Sequence, residues 1–180
     1  MSGQQLRIGQ PLPRFTVLQG VDGKLHSASG FSSPVLVIVF SCNHCPYVQA
    51  YEDRMMAFQR EYSAKGVQLV AINSNEEQNY PEDSYDEMVK RSALRKFNFP
   101  YMRDADQSAA NAFGATHTPQ FFVFDKERKL RYSGKLDDNW KVPSDAKEHY
   151  LRDAVDAVLA GRPVNVPETH SIGCTIKWAT

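Results

Sequence analysis

The sequence predicts a single α/β domain, and three features of its pattern carry that expectation. Pro34-Val-Leu-Val-Ile-Val-Phe40 and Val67-Gln-Leu-Val-Ala-Ile72 are short apolar runs without alternation, the pattern of central strands covered on both faces. Between them, Val48, Tyr51, Met55, Phe58 and Tyr62 recur at helical spacing, with Glu52, Asp53, Arg54, Gln59, Arg60 and Glu61 mostly elsewhere. A strand, a helix and a strand joined in this way make a parallel, right-handed crossover.

The elements follow in order. Phe15-Thr-Val-Leu18 and Lys24-Leu25 flank Asp22-Gly23, a hairpin signal within an extension from Pro11 to Phe31. The first crossover helix ends at Gly66, and Pro46 suits its first turn, where a missing N–H costs nothing. Residues 73 to 84 are rich in Asn, Glu and Asp and read as a loop. Ser84 then caps a helix carrying Met88, Val89, Ala93 and Phe97. Residues 107 to 113 form a short helix closed by Gly114. Phe121-Phe-Val-Phe124 and Leu130-Arg-Tyr132 make an antiparallel hairpin around Asp125-Lys-Glu-Arg128. A last helix starts near Ser144, buries Tyr150, Leu151, Ala154, Val155, Val158 and Leu159, and stops before Gly161. A polar tail covers 163–180, and the whole of 1–180 reads as one domain.

Composition excludes several function classes. The 21 basic and 21 acidic residues balance, with no Lys/Arg cluster, so neither nucleic acid nor a membrane surface is an expected partner. Met1-Ser-Gly-Gln-Gln-Leu-Arg7 lacks the apolar core of a signal peptide, and no run approaches the roughly 18 apolar residues of a membrane span, so the expected compartment is the cytoplasm. No Gly-rich nucleotide motif is present, which points away from a bound cofactor. Three cysteines are too few for a disulfide scaffold, and in a reducing compartment a Cys-x-x-Cys pair is catalytic or metal-binding rather than structural.

That pair lies in Phe40-Ser41-Cys42-Asn43-His44-Cys45-Pro46, where the first strand gives way to the helix. Cys42 is expected at or just before the helix N-terminus, where unpaired N–H groups and the helix dipole favour a thiolate. Cys45, one turn on, can then attack a mixed disulfide on Cys42 and close an intramolecular bridge. Cys42 is the expected attacking sulfur and Cys45 the resolving one. A protonated His44 would stabilise the Cys42 thiolate and make the couple more oxidising than thioredoxin's roughly −270 mV; the other reading is a solvated turn histidine.

These residues carry a family resemblance. With Thr118-Pro119 before a Phe-rich strand, the chain resembles the thioredoxin-like superfamily, in its redoxin (peroxiredoxin-related, AhpC/TSA-like) branch. Cys42-Asn-His-Cys-Pro-Tyr47, Ala71-Ile-Asn-Ser-Asn75, Leu136-Asp-Asp-Asn139 and Ser171-Ile-Gly-Cys-Thr-Ile-Lys-Trp178 are similar to a group of small bacterial proteins with a Cys-Asn-His-Cys-Pro motif. The resemblance implies a thioredoxin-like fold: a central mixed β-sheet flanked by helices, with an N-terminal β-hairpin extension and a helical insertion. It also implies a cis Pro119 facing the thiols and a substrate-binding Thr118; an ordinary trans proline starting an edge strand is the alternative.

Two departures from thioredoxin stand out. Phe40-Ser41 replaces the usual tryptophan, and Leu36 or Val37 stands where thioredoxin has a buried aspartate. The proton acceptor for Cys45 must come from elsewhere, with Asp137, Asp138 and Glu52 as candidates. His117 lies near the site by resemblance, where it either contacts the thiols or faces solvent. Cys174 is either a second resolving thiol or a buried small hydrophobe, with Ile172, Gly173, Ile176 and Trp178 docking the tail.

Three activities compete. A thiol-disulfide oxidoreductase needs only the Cys42–Cys45 pair as a redox-active disulfide, a protein or small-molecule disulfide as substrate and a separate thiol reductant, and would serve cell redox homeostasis and antioxidant defence. A thiol peroxidase of this resemblance requires Pro-x-x-x-Thr/Ser-x-x-Cys; counting back gives Val39 and Val35 from Cys42, and Cys42 and Ile38 from Cys45, so that motif is absent at the Cys42–Cys45 pair. A copper or zinc carrier could use Cys42, Cys45 and His117, but the spacing is one residue shorter than Cys-x-x-x-Cys-Pro. The oxidoreductase, with no resident metal, is the expected function.

Overall fold

The computed structural model describes residues 3–15 and 17–180, so Met1, Ser2 and Thr16, parts of the leader and hairpin expectations, lie outside the described residues. The chain folds into a mixed α/β structure. A short hairpin of β1 (Leu18–Gly20) and β2 (Leu25–His26) leads to β3 (Val35–Ser41), α1 (Pro46–Tyr62) and β4 (Val67–Asn73). Next come α2 (Tyr85–Arg95), β5 (Tyr101–Arg103) and α3 (Ser108–Phe113). Then follow β6 (His117–Thr118), β7 (Gln120–Phe124), β8 (Leu130–Gly134), α4 (Tyr150–Leu159) and β9 (Cys174–Thr175).

The seven-stranded sheet runs β2-β1-β5-β4-β3-β7-β8, with β3, β4 and β5 parallel and the other pairings antiparallel. The two apolar runs sit at its centre. Alternation along β3 sends Val35, Val37 and Val39 into one core, against Met55 and Phe58 of α1 and Val155 of α4. It sends Leu36, Ile38 and Phe40 into the other, against Phe113 of α3. Phe113 meets Phe40, Phe122 and Phe124 edge-on, with ring centroids 5.1, 5.2 and 6.0 Å away. Truncating such a ring to alanine costs about 3–5 kcal/mol, so this cluster holds α3 to the sheet.

Several expected boundaries shift. β1 begins at Leu18, with the buried Phe15 ahead of it, although the turn at Asp22-Gly23 forms and Gly20 N–H donates to the Lys24 carbonyl at 2.8 Å. α2 starts at the Ser84 cap, whose hydroxyl accepts from Glu87 N–H, but stops at Arg95; Lys96 turns left-handed (φ 58°) and leaves Phe97 beyond the helix, packed on the core. α4 begins at Tyr150 rather than near Ser144, because 143–145 form a separate 3-10 turn and Ala146 is extended. Strand β5 was not expected: three residues are too short for a periodic signal. Among the described residues no helix is long and apolar enough to cross a membrane.

The tail docks on this frame. Ile176 is buried in the α3 core with Trp178 beside it, whereas Ile172 is exposed. Ile176 N–H donates to the Thr116 carbonyl and Lys177 N–H to Asn75 Oδ1, both at 2.9 Å, and Gln107 Nε2 holds the Lys177 carbonyl at 2.8 Å.

Candidate active site

The central strand β3 ends at Ser41, and the chain turns through Cys42, Asn43 and His44 before α1 starts at Pro46. Cys45, not Cys42, is therefore the N-cap, with extended backbone (φ −72°, ψ 121°) and Pro46 at the first helical position. Cys42, expected at or just before the helix N-terminus, lies three residues ahead of this cap. Proline sets where the helix begins, and buried contacts hold residues 42–44 out of it. Asn43 N–H donates to Asp83 at 2.6 Å, Asn43 Nδ2 donates to the Glu82 carbonyl at 2.8 Å, and Asn43 Oδ1 accepts from the Tyr101 hydroxyl at 2.8 Å.

The two sulfurs form a small buried cluster with Val48, with Tyr47 and Cys174 packed against it. Cys42 is 2% exposed and Cys45 0%. The Thr118 hydroxyl lies 3.5 Å from the Cys42 sulfur, and Cys45, as a thiol, donates to the Thr118 carbonyl at 3.4 Å. The Thr118–Pro119 peptide is cis.

The buried thiols share their charge. The hydrogen bond from Cys42 holds Cys45 down to about 4, helped by the side chain of Cys174 and by the backbone N–H groups of Val48 and Cys174, against its burial. The same hydrogen bond, burial and the charge of Asp83 push Cys42 well above the ordinary thiol range. A hydrogen bond to a charged group contributes about 1.5–3 kcal/mol, more than the 0.3–1 kcal/mol typical of a helix dipole. The Cys42 thiol is thus the main support of the Cys45 anion, and the pair loses one proton early and the other late. Asp83 faces Cys42 and the helix end faces Cys45, so the surroundings weight the shared charge toward Cys45.

Asp83 is the residue that sequence reasoning missed. It lies in the stretch read as a polar loop, yet it is 0% exposed. Its Oδ1 accepts from Asn43 N–H and from Asn73 Nδ2 at 3.1 Å; Oδ2 accepts from Asn75 Nδ2 at 3.0 Å and touches His44 Nδ1. His44, stacked on Tyr80 with ring centroids 5.7 Å apart, lies between this carboxylate and the Cys42 turn. Donor atoms of Cys42, His44 and Asp83 lie within 4.8 Å of one another. Both Asp83 oxygens already accept hydrogen bonds from protein donors. Only a sequence cue as slight as the Asn-rich run 73–79 hinted at a buried polar cluster here.

The other candidate proton acceptors are committed elsewhere. Asp137 accepts from the Tyr51 hydroxyl and from Arg54, each at 2.8 Å, and locks α1 to the segment after β8. Glu52 is buried against Arg91 (2.9 Å) and Arg95. Asp138 accepts from the exposed Lys147 N–H at 2.8 Å. The His117 ring turns to the Thr116 hydroxyl at 2.8 Å and lines a groove with Arg7, Gln120 and His170, so the set Cys42, Cys45 and His117 is not assembled for a metal. Tyr47 and Trp140, with centroids 4.2 Å apart, form an aromatic wall beside the sulfurs that the sequence did not single out.

Cys174 does reach the site. β9 pairs antiparallel with β6, Thr118 opposite Cys174 and His117 opposite Thr175. The backbone edge of Thr118, which the resemblance assigned to a substrate peptide, is thus taken by the chain's own tail. Burial and the neighbouring Cys45 push the Cys174 thiol up to about 11.

The chain is similar to known proteins in family and fold. The family described as Redoxin matches residues 7–150. A thiol-disulfide oxidoreductase, ResA, of Geobacillus thermodenitrificans (strain NG80-2) is 24% identical over 145 residues, 79% of this chain and 75% of that protein. Two solved structures superpose with a TM-score of 0.90 at 38% identity. A hypothetical protein of Sinorhizobium meliloti 1021 covers 98% of this chain and 97% of its own, and a conserved protein of Geobacillus kaustophilus covers 99% and 96%.

Proposed function

The chain belongs to the Redoxin family, and from that premise we propose that it is a thiol-disulfide oxidoreductase working through Cys42 and Cys45. The observation that carries this reading is the buried pair of sulfurs just ahead of α1, both in contact with Thr118. A substrate disulfide displaces the two-residue β9 from Thr118 and meets the Cys45 thiolate. Cys45 bonds to one substrate sulfur and the other leaves as a thiolate. The Cys42 thiol then passes its proton to the adjacent Asp83–His44 pair and attacks Cys45, releasing the second substrate sulfur and leaving a Cys42–Cys45 bridge. The roles are the reverse of those expected from sequence order, and Asp83 takes the place sought among Asp137, Asp138 and Glu52. A separate thiol reductant reopens the bridge, and three cysteines in 180 residues, too few for a disulfide scaffold, suit the cytoplasm.

The purified reduced protein should reduce insulin faster than it consumes hydrogen peroxide, because neither Cys42 nor Cys45 has threonine or serine three residues before it, and Cys174, which follows Pro167 and Ser171 at the peroxidase spacing, has its thiol pushed up to about 11 by burial and Cys45. A peroxide reaction about tenfold or more faster than insulin reduction, about 1.4 kcal/mol in barrier, would move the assignment to a thiol peroxidase.

A further inference from the structure

We propose that Cys174 is a third redox residue: it takes over the oxidised bond from the Cys42–Cys45 bridge and presents it, as a Cys45–Cys174 disulfide, to the external reductant. This deepens the oxidoreductase reading and rests on it. Three observations of geometry carry the inference. Thr118, which touches both active-site sulfurs, is register partner to Cys174. Cys174 packs directly on the Cys42–Cys45–Val48 cluster. Gly173 lies so close to Thr118 that an added Cβ would stand 2.0 Å from its carbonyl oxygen, so the glycine lets the strand reach this position. Downstream, the buried Ile176 and the hydrogen bonds to Thr116, Asn75 and Gln107 hold the tail in place, so the thiol is delivered by an anchored strand.

The exposures give the arrangement a purpose. Cys42 and Cys45 are closed off, whereas Cys174 is half-buried and meets solvent. A reductant thiol therefore reaches Cys174 with the least rearrangement. In the bridged state Cys45 carries no charge, so what held the Cys174 proton is weakened. The Cys174 sulfur attacks the Cys45 sulfur, the Cys42–Cys45 bond breaks, and the proton lost by Cys174 goes to Cys42. No electrons enter or leave in this step, and one disulfide is exchanged for another. An external thiolate then attacks the Cys174 sulfur and Cys45 departs as the thiolate; this is the faster cleavage, because the sulfur with the lower pKa leaves faster. A second external thiol removes the first from Cys174 as a disulfide and restores three free cysteines.

The test begins with the unaltered protein. Reduced protein oxidised with one equivalent of diamide, alkylated and mapped by non-reducing peptide mass spectrometry should contain Cys45–Cys174 alongside Cys42–Cys45. The Cys42→Ser variant should convert fully to Cys45–Cys174, and Gly173→Ala should lose this bridge while keeping Cys42–Cys45. Reduction of the oxidised protein by glutathione, followed by tryptophan fluorescence, should be at least tenfold slower in Cys174→Ser and in Cys174→Ala. Absence of Cys45–Cys174 in both the unaltered protein and Cys42→Ser overturns the proposal, as does reduction of both Cys174 variants at the unaltered rate. Insulin reduction is read separately. If it is absent while Cys45–Cys174 forms, the substrate reading fails and the three-thiol relay stands.

Discussion

Thr118 and Cys174 are direct partners in an antiparallel pair of strands, and the same threonine contacts the sulfurs of both Cys42 and Cys45. One residue thus links the cis-proline loop, the thiol pair and the tail. The pairing is two residues long, which keeps it separable, while Ile176 beyond it is buried and anchors the rest.

The order of attack is open to direct trapping. In a Cys174→Ser background, which removes the third thiol, Cys42→Ser should accumulate a mixed disulfide on Cys45 when mixed with a disulfide substrate, if Cys45 carries the charge. Cys45→Ser should trap far less on Cys42, whose thiol is held protonated by burial and Asp83. Mass spectrometry of the trapped species decides this, and preferential trapping on Cys42 would restore the order expected from sequence.

The charge on Cys45 should appear in the ultraviolet thiolate absorbance. One thiolate should persist from neutral pH down to the region of pH 4, since the lowered pKa means that the proton returns only there. Cys42→Ala removes the largest support of that anion. Loss of one charged hydrogen bond, about 1.5–3 kcal/mol, should raise the midpoint by roughly 1–2 pH units. An unmoved midpoint would assign the anion to the helix end and backbone alone.

Asp83→Asn should affect both stability and the second chemical step. An amide cannot accept on both of its sides, so one of the donors Asn43 N–H, Asn73 or Asn75 loses its acceptor at a cost of about 1–3 kcal/mol, visible in urea unfolding. Closure of the Cys42–Cys45 bridge should slow by about 100-fold at neutral pH, as for loss of a general base. The deficit should shrink as pH rises, because solvent hydroxide replaces the missing acceptor. The upper thiolate titration, that of Cys42, should also move down once the Asp83 charge is gone. A slowed closure that is independent of pH would mark Asp83 as a purely structural residue.

Much of this protein is legible in local pattern. The uninterrupted apolar runs of β3 and β4 are strands because both faces of the sheet are covered, and the spacing from Val48 to Tyr62 is a helix because only one of its faces is. Cys-x-x-Cys between them, with Thr118-Pro119 further along, is enough to bring the thiols to the end of a central strand. Local pattern did not reveal which sulfur carries the charge. That depends on Asp83, which reaches the turn from 40 residues away, and on a helix that starts at Pro46. Nor did it reveal that His44 turns to a buried carboxylate, that Asp137 is tied to Tyr51 and Arg54, or that Cys174 lies beside Cys45. The sequence by itself determined the elements and the chemistry available, since periodicity and turn residues act over a few positions. Tertiary structure alone decided the surroundings in which that chemistry would run, since the charge and access of a buried thiol are set by whichever distant groups the fold packs against it.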